Sequence, residues 1–371
     1  MNKIRLSKSC LGSEEKDAVT RVLDAEFLGM GKEVQKFEAE LQAYIGTKKD
    51  VICVNTGTAA IHLAALAIDL GPGDEVLIPT ITYLASFQAI SATGAKPVAV
   101  DVLQDSLFID LTDAEKRLTK RTKAILPVHY ASDSSRMNAV YSFAEKHNLR
   151  VIEDAAHSFG STRNGQKIGC EGDILCFSFD GIKNITSGEG GAVVTSDKLV
   201  AQRIRDARLL GVENDTEKRF SGQRSWDFDT TRQGYRYHMS NIMAAIGVAQ
   251  LAKIEKLGSK RQQLVECYRN QLQSYPGLEI LNLEFENIVP HIFVVKLLSG
   301  SRDQLRSEML ERGIETGIHY KPNHLLSMYR CQYPLKTAEK VYDQILSLPL
   351  HPDLSTSDVE MISDFIKSRL R

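Results

Sequence analysis

The chain has 371 residues, of which 43% are hydrophobic and 25% charged, and its formal net charge is −1. That length suits two domains, with a core that needs no disulfide or metal to hold it. The near-neutral charge excludes the basic excess of a nucleic-acid binder, and no stretch approaches the roughly 20 apolar residues of a membrane helix.

In chain order, apolar spacing predicts helices over 14–27 and 33–45, joined by a Gly29-Met30-Gly31 loop. A regular alternation then begins. Strands are predicted at 51–54, 75–79, 97–100, 124–128, 150–153, 175–179 and 192–195, with helices such as 59–70 and 137–147 between them. Strands alternating with helices predict a mostly parallel, doubly wound α/β sheet. From about residue 242 a long helical stretch runs to about 275, where Pro276-Gly277 stops it. A strand at 292–297 and helices at 302–312 and 355–371 follow, which together predict a smaller α+β domain. The six cysteines, Cys10, Cys53, Cys170, Cys176, Cys267 and Cys331, form no CxxC pair and no zinc-spaced cluster with histidine. Reduced thiols and a cytoplasmic setting are expected. Residues 1–5 lead into no long apolar run, so no secretory leader is expected.

Three segments at predicted strand ends carry residues suited to chemistry. In 177–191 a strand delivers Ser178, and a short loop then presents Lys183 before a glycine-rich turn. Alone, a loop lysine reads as a surface residue. Schiff-base chemistry, however, needs one amine in a partly desolvated pocket, where its pKa can fall. Open α/β sheets place ligands at such strand ends. Asp154 follows the apolar run 151–153 directly. It reads as a helix N-cap, as a magnesium-binding acid, or as the partner of a protonated pyridine nitrogen. His157 reads as a core histidine or a loop polar group. Asn55-Thr56-Gly57-Thr58-Ala59-Ala60 joins a strand to a helix. There an N-cap by Thr56 or Thr58 competes with a phosphate site on the helix-start amides, which Gly57 lets an anion approach.

Phosphate cup, pyridine partner and amine, in that chain order, form a constellation. With EDAAH (153–157), SF-x3-KN-x3-GEGG (178–191) and MSN-x3-AIG-x-AQL (239–251), the chain resembles the sugar aminotransferases of the DegT/DnrJ/EryC1/StrS family over about 28–354. The resemblance implies the aspartate-aminotransferase type of pyridoxal-phosphate (PLP) fold. That means a mainly parallel sheet with helices on both faces in a large PLP-binding domain, 1–245, and a small α+β domain, 246–371. It also implies Lys183 as the covalent anchor and acid–base group, Asp154 on the pyridine nitrogen, and His157 on the O3′ side. Ser178, Gly57, Thr58 and Ala59 would hold the phosphate and Tyr83 would stack on the ring. In the second domain, His319, Tyr320 and His324 would contact the sugar. The family's Gly-Tyr-Asn-Tyr-Arg segment, donated across a homodimer interface, reads Gly234-Tyr235-Arg236-Tyr237-His238 here. Arg236 then serves a phosphate of the cofactor or the substrate's diphosphate.

A branch of the family with histidine in place of the lysine catalyses dehydration, so Lys183 favours transamination. The implied reaction is ping-pong, with L-glutamate as donor and a nucleotide-linked keto sugar as acceptor. The expected acceptor is dTDP-4-dehydro-6-deoxy-D-glucose, aminated at C4 for a surface polysaccharide. A GDP-linked sugar and amination at C3 are the competitors. A non-enzymatic PLP-fold sensor lacks support, since no helix-turn-helix extension is evident. A nicotinamide dehydrogenase would need G-x-G-x-x-G after an early strand. Gly29-Met30-Gly31 lacks both the third glycine and the strand, and 160–167 is no P-loop, because Gln166 stands where the lysine belongs.

Overall fold

A computed structural model describes residues 3–370. Met1, Asn2 and Arg371, at the ends of the two expected domains, lie outside the described residues.

The predicted alternation folds into one seven-stranded sheet. Its strands are β1 (Asp50–Val54), β2 (Glu75–Pro79), β3 (Lys96–Val100), β4 (Thr122–Ile125), β5 (Arg150–Asp154), then β8 (Ile174–Ser178) and β9 (Gly191–Thr195). Between them, β6 (Thr162–Arg163) and β7 (Gln166–Lys167) make a small hairpin. The order is β1-β9-β8-β5-β4-β2-β3. β9 runs antiparallel to both neighbours, and the remaining pairs are parallel.

Side chains that alternate along each strand face opposite sides of the sheet, and the packing follows that rule. Ile52, Val54, Ile152, Ile174 and Cys176 join the cluster under helices Gly57–Ala67 and Leu84–Ser91. Val51, Cys53, Leu175 and Phe177 join Phe37 and Leu41 of helix Lys32–Ile45 on the other face. A sheet covered on both faces explains why its strands read as continuous apolar runs.

The last third builds a second sheet, antiparallel, in the order β10 (Leu278–Ile280), β11 (Phe293–Leu297), β12 (Ile345–Leu348). Helices Ile254–Leu272 and Thr356–Arg369 cover it through Leu264, Tyr268, Val359 and Ile362. The long helix expected over 242–275 is two helices, Asn241–Leu251 and Ile254–Leu272. The chain breaks at Ala252-Lys253 because the first helix buries Ala244 and Leu251 against the large sheet, whereas the second buries its apolar face against the small one. The expected domain boundary, between 245 and 246, falls inside the first of these helices. None of the described helices is long and apolar enough to cross a membrane.

Candidate active site

The strand registers bring the predicted residues to one end of the large sheet. Asp154 pairs with Cys176 on β8, Ser178 pairs with Gly191 on β9, and Gly191 also pairs with Val54 on β1. The carboxyl ends of β1, β5 and β8 therefore converge with the start of β9. A cavity of about 420 Å³ opens there, within the roughly 300–1,000 Å³ usual for small-molecule sites. Its lining includes Gly57, Thr58, Tyr83, Asp154, His157, Ser178, Lys183, His319 and Tyr320. A larger cavity, about 670 Å³, lies at the far end of helix Gly57–Ala67, and none of the predicted residues lines it. Within it Asp69 pairs with Arg203 and Arg232.

The β1-to-helix turn borders the cavity through Thr56, Gly57 and Thr58. Thr56 caps the helix, its Oγ1 accepting from the Ala59 N–H at 3.0 Å. That bond commits the Ala59 amide, while the N–H groups of the cavity-lining Gly57 and Thr58 have no partner among the described residues. A Cβ on Gly57 would stand 2.8 Å from Ser178 Cβ and 3.0 Å from its Oγ, so only glycine lets the turn close on β8.

Asp154 is buried. Its Oδ2 accepts from Ser86 Oγ at 2.7 Å and its Oδ1 from the Ala156 N–H at 3.2 Å. Ser86 and its neighbour Thr82, 2.9 Å apart between hydroxyls, stand out in no sequence motif. Tyr83, 62% exposed, spreads over the cavity mouth with its ring 5.8 Å from that of Tyr320.

Lys183 sits in the β8–β9 connection, which is fastened at both ends. Phe179 N–H donates to Gly190 O, and Ser187 N–H to Phe179 O. No carboxylate lies within ion-pair distance of its amine among the described residues; its Nζ instead stands 3.4 Å from His291 Nε2. Burial, helped by the Arg261 charge and opposed by Asp154 and Asp180, lowers its pKa to about 8. His157, buried, reaches Tyr320 Oη through Nε2 at 3.0 Å, while its Nδ1 is left without a partner. Burial and then the nearby Lys183 hold it well below the usual imidazole pKa. His319 is bonded through Nδ1 to Ser347 Oγ at 2.7 Å, and burial with Lys183 lowers its pKa to about 4.

Three predicted residues do not line the cavity. Ala59 spends its amide on the cap. His324 is buried between Thr80 Oγ1, 2.8 Å away, and Glu339, 3.3 Å away, and ties the second part of the chain to the end of β2. Arg236 is exposed, in a segment whose backbone bridges to Leu209. Conversely, His291 lines the cavity. The one sequence signal for it is a histidine placed directly before an apolar strand.

Open amides and a glycine cradle for a phosphate, an aimed carboxylate for a ring nitrogen, an unpaired amine for an aldehyde and a spare Nδ1 together fit PLP. Comparison with known proteins agrees. Residues 9–367 match the profile of the DegT/DnrJ/EryC1/StrS aminotransferase family. The spore coat polysaccharide biosynthesis protein SpsC of Bacillus subtilis is 34% identical over 368 residues, which is 96% of this chain and 94% of SpsC. Spr1654 of Streptococcus pneumoniae, solved in a PLP form, superposes with a TM-score of 0.91 at 27% identity over 100% of both chains. DesI, solved in the presence of its TDP-sugar product, gives a TM-score of 0.90 at 25% identity over 100% of this chain and 93% of DesI. The chain belongs to the DegT/DnrJ/EryC1/StrS aminotransferase family. It is a PLP-dependent aminotransferase.

Proposed function

We propose that this enzyme moves an amino group from L-glutamate to the keto carbon of a nucleotide-linked sugar. The acceptor is dTDP-4-dehydro-6-deoxy-D-glucose, aminated at C4 for a surface polysaccharide. The observation that carries the reading is the unpaired amine of Lys183, held near neutrality in a cavity that also presents Asp154. SpsC, by its name, and the TDP-sugar product named for DesI support the polysaccharide setting and the nucleotide.

Lys183 is assigned as the covalent anchor, Asp154 to the pyridine nitrogen, Gly57, Thr58 and Ser178 to the phosphate, and Tyr83 to the ring face. When bound, PLP supplies an electron sink for charge released at the amino acid's Cα. Everything else falls to the chain. Asp154, held by the Ser86 hydroxyl, would face the ring nitrogen. Lys183 Nζ, once free, would carry a proton from the amino acid's Cα to C4′ of the cofactor, and in the second half-reaction from C4′ to the sugar carbon. His157 stays neutral and orients Tyr320. His319 and Tyr320, at the outer wall, are assigned to the sugar.

A homodimer is part of the proposal. Arg236 is exposed and does not line its own chain's cavity, and the stretch just before it exposes Trp226 (85%) and Phe228 (58%). Exposed aromatic surface of this kind marks a contact region. Arg236 then serves the neighbouring protomer's phosphate. The six free cysteines suit a cytoplasmic enzyme.

The test is to incubate the protein with L-glutamate and dTDP-, GDP- and UDP-linked 4-keto and 3-keto sugars, and to read the products by mass and NMR coupling. Amination of the dTDP 4-keto sugar at C4 is expected. Amination of a GDP sugar alone, or of none, would remove the substrate assignment.

A further inference from the structure

His291 is the one cavity residue whose ring faces Lys183 Nζ at hydrogen-bonding range and to which the proposed chemistry gives no task. It enters from the second sheet, two residues before β11. Its backbone is fixed on both sides: its N–H donates to Ser132 Oγ at 3.1 Å, and its carbonyl accepts from Arg261 at 3.3 Å. Ser132 Oγ in turn donates to the His157 carbonyl at 2.5 Å, so one hydroxyl seats both histidines. The His291 ring lies against that of His157, with centroids 4.5 Å apart and planes tilted by 51°. It is buried, and its Nδ1 has no partner.

The anchored backbone and the packing against His157 hold the His291 ring beside Lys183 Nζ. Lys183 Nζ, His157, His319 and Arg261 are the charged or titratable groups nearest it. Burial first, and then the positive charges of Lys183 and Arg261, hold its pKa well below the ordinary histidine value. The ring is therefore neutral, with one nitrogen protonated and the other a lone-pair acceptor. An ammonium at Lys183 can only donate, so toward it the facing nitrogen serves as the acceptor.

We propose that His291 is a positioning residue for Lys183: its unprotonated Nε2 accepts one N–H of the released amine and turns the amine's remaining lone pair toward the carbon it must deprotonate. This rests on the proposed role of Lys183 but not on the identity of the sugar. A neutral acceptor suits that task. It fixes a direction without adding a second positive charge beside an amine that must take up a proton. It also gives the second sheet a direct hold on the proton-carrying group of the first.

The experiment compares wild type with His291→Leu, which keeps bulk but removes the acceptor, and His291→Gln, whose side-chain oxygen can return an acceptor near the Nε2 position. Borohydride reduction of the PLP-loaded proteins first reports whether the pyridoxyl adduct lies on Lys183. If it does not, the role of Lys183 fails and takes the inference with it. With the adduct in place, the glutamate half-reaction of His291→Leu should slow about 10- to 100-fold, the cost expected of a misaimed catalytic group. His291→Gln should recover most of that loss. In the apoprotein, labelling of Lys183 by a small amine reagent, followed by peptide mass spectrometry across pH, should titrate at lower pH in His291→Leu, since an acceptor for the ammonium is gone. An unchanged rate and titration in His291→Leu would overturn the proposal, as would a His291→Gln as slow as His291→Leu. Should the leucine variant not fold, ¹⁵N NMR of wild type decides: the proposal requires His291 to carry its proton on Nδ1, and a spectrum with the proton on Nε2 overturns it.

Discussion

Ser86 Oγ donates to Asp154 Oδ2 at 2.7 Å, and because a carboxylate can only accept, the Thr82 hydroxyl 2.9 Å away must donate to Ser86 in turn. The two hydroxyls thus form a directed chain from the mouth of the cavity to the carboxylate assigned to the pyridine nitrogen. Hydrogen bonds to charged groups are worth about 1.5–3 kcal/mol. Ser86→Ala should therefore weaken PLP binding about tenfold or more at unchanged fold. Fluorescence titration of the apoprotein with PLP measures this, and an unaltered affinity would mean that Asp154 is aimed without Ser86.

Lys183→Met keeps much of the side-chain length and removes the amine. Turnover should vanish, and borohydride reduction should leave no pyridoxyl group on the peptide containing residue 183, where wild type carries one. An adduct on a different peptide of the wild type would end the assignment.

With its pKa brought down to about 8, the Lys183 amine gains its neutral, proton-accepting form as pH rises through that value. The single-turnover rate with glutamate should climb between pH 7 and 8 and level off above about 9. A rate that falls across that interval would place the base elsewhere.

Glu153, next to Asp154 but pointing away from the cavity, is fully buried. Burial pushes its carboxyl up, yet His129 at 2.8 Å and Arg163 at 3.0 Å more than offset this and bring its pKa to about 2. A depressed carboxyl stabilises the fold above its unfolded pKa and loses that contribution as pH falls through its folded one. The loss therefore lies between about pH 4.5 and 2. Glu153→Gln leaves His129 and Arg163 facing a neutral group in the interior, at a cost of about 3–5 kcal/mol. Urea unfolding at pH 7 reads this directly, and a change below 1 kcal/mol would contradict it.

Gly57→Ala places a methyl 2.8 Å from Ser178 Cβ. The turn must open, so PLP affinity should fall while the glutamate Michaelis constant, compared at saturating PLP, changes little. Equal affinity for PLP would show that the cup is not the phosphate site.

The alternation of strands and helices was legible because a sheet buried on both faces writes itself as apolar runs such as Val51–Val54 and Leu175–Phe177. Lys183, Asp154 and Gly57 were legible because each sits at a strand end, inside a distinctive motif. His291 and Ser86 were not, since their roles depend on a neighbour more than 60 residues away: Lys183 for one, Asp154 for the other. His324 misled for the same reason. Its place beside Tyr320 in sequence suggests a shared surface, but Thr80 and Glu339 draw its ring into the interior. The break at Ala252-Lys253 was hidden because both helices keep helical periodicity while changing the core they face.

Arg261 is buried with no carboxylate partner among the described residues, its pKa lowered to about 10 by that burial, and its guanidinium reaches the carbonyls of Pro290, His291 and Leu350 on one side and of Ile182 on the other. It therefore rivets the small sheet to the peptide immediately preceding Lys183. Shear between the two sheets would be transmitted to the residue that carries the proposed catalytic amine. Mild denaturant that loosens this seam would then disturb the bound cofactor's colour before either sheet melts.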